Sequence, residues 1–400
     1  MNLKADIPDE VEEVDLLVTQ QANDLSAMLH EHRLEMFPPD ARKTLRSFQL
    51  AEVAQYLGVT SGYLKNLSLE GKGPQPMVTP SGRRSYTAEQ MLEMRHFLNR
   101  HSRTARYVPH RSGSEHLQVL AVVNFKGGSA KTTSAAHLAQ HLALTGHRVL
   151  AIDLDPQASL SALYGFQPEI DHNESLYEAL RYDDQRKPLS ALVRQTNFPG
   201  LDVVPANLEL QEYEYDTPLA LSRNDGSMGR IFFGRLDEAL ADVADDYDVV
   251  VIDCPPQLGY LTLTALSSST GILITVHPQM LDVMSMCQFL IMMGEVMGTL
   301  KRAGANMRLD WLRYLVTRYE PTDGPQSQMV AFMRAIFKQH VLVNEMLKST
   351  AISDAGITKQ TLYEVERSQF TRATYDRAME SLHRVNGEIT ELIHKAWRRR

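Results

Sequence analysis

The sequence predicts an α/β fold: a mostly parallel sheet with helices on both faces, preceded by a winged helix-turn-helix domain and an N-terminal helix. Three observations carry this expectation. Short apolar runs without polar alternation, at 119–123, 149–152, 201–204, 249–252, 272–276 and 312–316, are separated by helical stretches. Strands apolar on both faces belong to a parallel sheet buried on both sides. The first run leads through a glycine-containing loop and a Lys-Thr pair into a helix. Charge is segregated as well. Residues 1–40 hold two basic and ten acidic side chains and residues 41–116 twelve and five, which leaves −7 for the remainder of a chain of net charge −8.

Four hundred residues exceed one ordinary core, and the pattern divides them at 1–38, 39–112 and 113–400. With 43% hydrophobic and 22% charged residues, the chain reads as soluble and globular. Asp6, Asp9, Glu10, Glu12, Glu13 and Asp15 stand where a secretory signal would be basic and then apolar. No apolar run approaches the roughly 18 residues of a membrane span. Cys254 and Cys287 are too few for a disulfide framework and suit a reducing cytosol.

The N-terminal segment, from about Asp9 to Met36, reads as an amphipathic helix. Val14, Leu17, Leu25, Met28, Leu29 and Met36 keep helical spacing, and Pro38 and Pro39 end it. A greasy stripe without an attached core suggests a dimerisation arm, or a helix folded back on its own domain. In the basic segment, Leu50, Val53, Ala54 and Leu57 share one helix face, Gly58 turns the chain, and Thr60 caps a second helix. That is helix-turn-helix spacing, presenting Ser61, Tyr63, Lys65 and Asn66 to a DNA major groove. The glycines and prolines of 71–80 suit a β-hairpin wing, where Arg83 and Arg84 would meet backbone phosphates or the minor groove, followed by a helix capped at Thr87. This segment resembles the winged domain of MerR-like regulators. Local charge, not total charge, governs phosphate contacts, so the overall acidity does not exclude DNA. A polar linker is expected over 100–115.

Residues 120–124 form a buried strand, 125–133 a loop and 134–145 an amphipathic helix, which is the order of a phosphate-binding loop. Glycines let backbone amides converge on phosphate oxygens at the positive end of the helix. Lys131 would reach the β- and γ-phosphates of ATP, and the Thr132 hydroxyl would bind Mg²⁺. Phe125 and Ala130 occupy two positions where the strict pattern has glycine. With Lys126, however, the run Lys126-Gly127-Gly128-Ser129-Ala130-Lys131-Thr132-Thr133 resembles the deviant Walker A loop of the family that contains ParA, MinD and the nitrogenase iron protein.

That resemblance implies that Lys126 reaches across a homodimer to the partner's ATP. It also implies that Asp155, in Asp153-Leu-Asp155-Pro, orients the attacking water while Asp153 supports the Mg²⁺ shell. Asp253, which ends the run 249–252, looks like the Walker B carboxylate near the metal. Pro278 follows a later strand at the family's adenine contact. ParA proteins of the longer plasmid class resemble this chain over nearly its whole length. The stretches 62–76 and 124–133 look closest to the RepA proteins of repABC-type plasmids. The resemblance implies a slow ATPase that binds nonspecific DNA in its ATP state and positions plasmid cargo with a ParB-type centromere-binding protein. It implies autorepression through the winged domain too. Arg313, Arg318, Arg334, Lys338 and Lys348 lie in the third of the chain where the family carries its nonspecific DNA surface.

Other readings stay open at this point: a nucleotide-sensing repressor without transport, or a membrane-patterning ATPase. His137 and His141 lie at i, i+4 like a zinc pair, but Leu138 stands where a metalloprotease needs Glu, and their helix serves the phosphate loop. Trp397 and the arginines after it suit a packed closing helix better than a membrane anchor.

Overall fold

The computed structural model describes residues 14–36, 43–103, 107–166, 174–222, 229–305 and 307–399. Residues 1–43 form one unit and 44–400 another. In the first, helix α1 spans Val14–Met36, with Val14, Leu25 and Met28 exposed. Its expected start near Asp9 and the breakers Pro38 and Pro39 lie outside the described residues.

The second unit opens with strand β1 (Phe48–Gln49), helices α2 (Leu50–Leu57) and α3 (Ser61–Leu69), strands β2 (Met77–Val78) and β3 (Arg84–Tyr86), and helix α4 (Ala88–His101). Gly58 closes α2 at φ +68°, which glycine adopts without a steric penalty. The Thr60 hydroxyl accepts from Tyr63 N at 3.2 Å to start α3. Thr87 and Gln90 form a reciprocal capping box on α4. β3 pairs antiparallel with β1 on one side and β2 on the other.

Then come β4 (Gln118–Val123), α5 (Lys131–Leu144), β5 (Val149–Asp153), α6 (Ser159–Leu163), α7 (Tyr177–Leu180), β6 (Arg194–Gln195), β7 (Leu201–Val204), α8 (Glu212–Ser222) and α9 (Arg235–Ala241). β8 (Val249–Asp253), α10 (Tyr260–Ser268), β9 (Gly271–Val276), α11 (Met280–Arg302), β10 (Trp311–Val316), α12 (Gly324–Phe337), α13 (Thr350–Ile357) and α14 (Arg372–Ala396) complete it. The sheet order is β10-β9-β4-β8-β5-β7-β6, parallel throughout except for the antiparallel edge strand β6. The apolar runs read from the sequence are these strands. The two-residue β6 was missed, being too short and polar to show a pattern.

Successive strand residues alternate between two cores. Leu120 and Val122 face one, Val119, Ala121 and Val123 the other. The first core continues without a break into Phe48, Val53, Leu57, Tyr86 and Met94, so the small N-terminal sheet and the large one share a hydrophobic interior. The expected linker is strapped down: Arg111 N and Arg148 N each donate to Asp248 at 2.8 Å, and Asn99 Oδ1 accepts from Tyr107 N at 3.0 Å. Arg95, on α4, is almost fully buried and donates to the carbonyls of Tyr56 (2.6 Å), Tyr107 (2.9 Å) and Leu144 (3.3 Å). Its guanidinium therefore sits between the C-terminal ends of α2 and α5, where the helix dipoles favour a cation.

α5 starts three residues earlier than the sequence suggests and is buried on nearly every face, not amphipathic. The reason is tertiary: the sheet covers one side and α14 the other, with Asn386 Nδ2 donating to His137 O at 3.2 Å. One sequence expectation needs amending. Among the described residues, α11 has the length and the mean hydropathy, 1.4, of a membrane span. Its methionines raise the average although Asp282 and Glu295 interrupt the run.

His141 lies buried on α5 among Tyr56, Tyr363 and His383, and burial pushes its imidazole down to about 3. A ring with a lowered folded pKa stays neutral while the unfolded chain gains a proton below about pH 6.5. Stability is thus unaffected above that pH and declines as pH falls toward about 3. His141→Phe is expected to flatten this acid limb by about 1.4 kcal/mol per pH unit, read from urea unfolding at a series of pH values. An unchanged slope would show that the ring does not stay neutral.

Candidate functional site

The carboxyl ends of β4, β8 and β5 lie side by side, with Val122 opposite Asp253 and Asp253 opposite Asp153. The loop after β4 thereby meets two carboxylates that are distant in sequence. Ligands of open parallel sheets bind at this edge. Gly127, Gly128, Ala130, Lys131, Thr132, Thr133 and Asp155 line a cavity of about 480 Å³, and Ser129 is buried beneath them. Thr275 Oγ1 donates to Ser129 Oγ at 3.0 Å and Thr317 Oγ1 to Ser129 O at 3.0 Å, fixing the loop to β9 and β10.

Ala130 takes φ +64°, ψ +31°, the left-handed conformation in which an alanine costs about 1 kcal/mol. The departure from glycine at this position therefore shows as backbone strain. Lys131 is nearly buried, and its Nζ donates to Lys126 O at 3.3 Å. Burial lowers its pKa, against the pull of Asp253 and Asp155.

The two buried aspartates differ. Asp153 is spoken for by protein: Oδ2 accepts from Ser161 N (2.8 Å) and Ser161 Oγ (2.7 Å), and Oδ1 from Asp155 N (3.2 Å). These bonds tie it to the Asp155 turn. Asp253 is equally buried, yet neither oxygen makes a hydrogen bond of normal geometry, although the Thr132 hydroxyl lies alongside. Burial and the neighbouring carboxylate raise its pKa well above the ordinary value. A buried carboxylate with unpaired oxygens beside a hydroxyl is the kind of donor set that a hard divalent cation completes, with phosphate oxygens and water. Asp153 remained opaque in the sequence because Ser161 lies eight residues on, across a turn.

Lys126 stands outside the cavity. Its ammonium pairs with the nearly buried Asp282 at the start of α11, which also accepts from His277 Nδ1 at 3.3 Å. No sequence pattern pointed to Asp282. Pro278 borders an apolar groove of about 1140 Å³ between α11 and α12. Arg318 takes φ +52° and donates to Gly128 O at 3.1 Å, so it too belongs to the loop's surroundings. Lys348 pairs with Glu320 and Arg334 with Glu345, and Arg313 is partly buried on β10. Lys338 is exposed just after α12. On α3, Tyr63, Lys65 and Asn66 are exposed and Ser61 half-exposed; Arg83 is exposed and Arg84 half-buried. Both ring nitrogens of His137 are engaged with backbone, at Thr133 O and Leu362 N, which leaves none for zinc. Cys254 is buried and Cys287 exposed.

Residues 117–304 match the family described as an AAA domain. A protein of Sinorhizobium fredii named for replication protein A is 64% identical over 386 residues, 96% of this chain and 95% of that one. The chromosome partitioning protein ParA of Caulobacter vibrioides is 31% identical over 245 residues, 60% of this chain and 84% of its own. Among solved structures, cobyrinic acid a,c-diamide synthase from Mycobacterium smegmatis with bound ADP and magnesium is 30% identical. Its TM-score is 0.51 over 61% of this chain and 91% of that one.

Proposed function

The chain belongs to the ParA family of partition ATPases, and from that premise we propose that it works as an ATP-dependent dimer that carries plasmid DNA with a ParB-type partner. ATP with Mg²⁺ occupies the cavity at 127–133, with Lys131 on the phosphates and Thr132 and Asp253 serving the metal. The bound ion supplies charge neutralisation at the terminal phosphates. Asp155, at the cavity wall, orients the attacking water, and Asp153 holds the Asp155 turn in place.

The observation that carries the dimer reading is the position of Lys126. It lies in the loop yet does not line its own cavity, and its amine is paired with Asp282. An amine so placed is of little use to its own nucleotide and is available to a neighbour's. Helix α1, with its exposed apolar residues, serves as a second dimer contact. Residues 44–101 act as a winged helix-turn-helix domain that reads an operator through Ser61, Tyr63, Lys65 and Asn66, with Arg83 and Arg84 on the backbone, and so represses the chain's own operon.

DNA binding measured without nucleotide, with ADP and with ATP, on operator and random duplexes side by side, tests this. Random duplex is expected to bind only in the ATP state, with affinity falling steeply as salt rises. Equal affinity for random duplex in all three states would remove the ATP-gated cycle.

A further inference from the structure

Two residues from far along the chain, Gly356 and Lys359, complete the lining of the phosphate-loop cavity. They lie at the end of α13, where Lys359 takes φ +51°. That left-handed conformation is unfavourable for any residue with a side chain, and glycine would adopt it freely. The turn is closed by Lys359 N donating to Gly356 O at 3.0 Å and Gln360 N to Ala355 O at 2.9 Å. These two bonds form the left-handed ending common at helix C-termini.

The same turn is fastened to α5. Thr361 Oγ1 donates to Gln140 Oε1 at 2.6 Å, and Thr361 N donates to Glu364 Oε2 at 2.8 Å. Leu362 N donates to His137 Nε2 at 3.2 Å, while His137 Nδ1 lies 2.7 Å from Thr133 O. With Nε2 accepting, the proton sits on Nδ1, so the imidazole is neutral, as its burial also requires. One ring thus ties the first turn of α5 at Thr133 to backbone three residues beyond Lys359. Lys359, three residues before Leu362, stands in the cavity wall.

We propose that Lys359 is a further nucleotide-binding residue, its ammonium serving the phosphates that sit against the first turn of α5. The inference rests on the reading of this cavity as the ATP site. In phosphate loops the backbone of that turn cradles the α- and β-phosphates, which ATP and ADP share. Lys359 therefore acts on both nucleotides, unlike Lys126, whose target is the γ-phosphate. Lys131 and Lys359 are the basic residues in the lining of this cavity, and Asp155 is the acidic one.

Titration of the full-length chain with fluorescent ATP and ADP analogues, in the presence of Mg²⁺, tests the proposal on wild type, Lys359→Gln, Lys359→Gly and Lys131→Ala. Lys359→Gln is expected to weaken both nucleotides by the same factor, about tenfold. Lys359→Gly is expected to do the same while unfolding at equal or higher urea, because it relieves the strained turn. If Lys131→Ala loses binding but both Lys359 variants keep wild-type affinity, the cavity reading stands and Lys359 is only a turn residue. A loss confined to ATP would also overturn the proposal. Wild type that binds neither nucleotide would remove the cavity reading and this inference together.

Discussion

Lys126→Ala is expected to leave MgATP affinity within about threefold of wild type while turnover falls roughly 10²- to 10³-fold. The expectation follows from where the amine is. Lys126 contributes its carbonyl, not its ammonium, to the surroundings of Lys131, so truncating the side chain leaves the cavity walls as they are. What is lost is a positive charge delivered to a partner's terminal phosphate, where charge develops as the bond to the leaving group breaks. Delivery requires the ion pair with Asp282 to open, and the nucleotide-bound partner must offer a better anion than that carboxylate. Nucleotide titration and phosphate release, measured on the same preparation, separate the two quantities. A parallel fall in both would place the amine on its own nucleotide and withdraw the trans contact.

The Lys131→Ala variant is expected to fail at binding itself, with ATP affinity lowered about 10²-fold or more, the loss incurred when one member of a desolvated charge contact is removed. Without nucleotide, the same variant is expected to melt at or above the wild-type temperature. Burying this ammonium disfavours its charged form, so alanine removes a desolvation cost from the apo fold. The readout is thermal unfolding with and without MgATP. Wild type gains stability as ligand exceeds its dissociation constant, and the variant shows no shift. A variant destabilised without nucleotide but still shifted by ATP would show Lys131 to be structural.

Several parts of the site were legible in the sequence because their chemistry is local. The phosphate loop is a run of consecutive residues, and its glycines, Lys131 and Thr132 act through backbone and side chains within two turns of one another. Asp155 and Asp253 stand at the ends of apolar strands, and strand ends of a parallel sheet are where ligands sit. Asp153 stands at a strand end by the same rule, and what the sequence did not show is that Ser161 and the Asp155 amide hold its two oxygens. Pro278 also follows a strand, β9, and borders the groove beside α12.

By itself the sequence determined the element types: helix caps at Thr60 and Thr87, apolar strands, and a glycine loop that leads into a helix. These depend on hydrogen bonds and steric limits within a few residues, which composition and spacing record directly. Tertiary structure alone decided which strand ends become neighbours, that Lys126 rests on Asp282, that Lys359 joins the cavity wall, and that Arg95 on α4 joins the C-terminal ends of α2 and α5. Those pairings follow from strand order and from the burial of both faces of one sheet. They join residues from dozens to more than two hundred positions apart in a chain whose local patterns carry no mark of the partner.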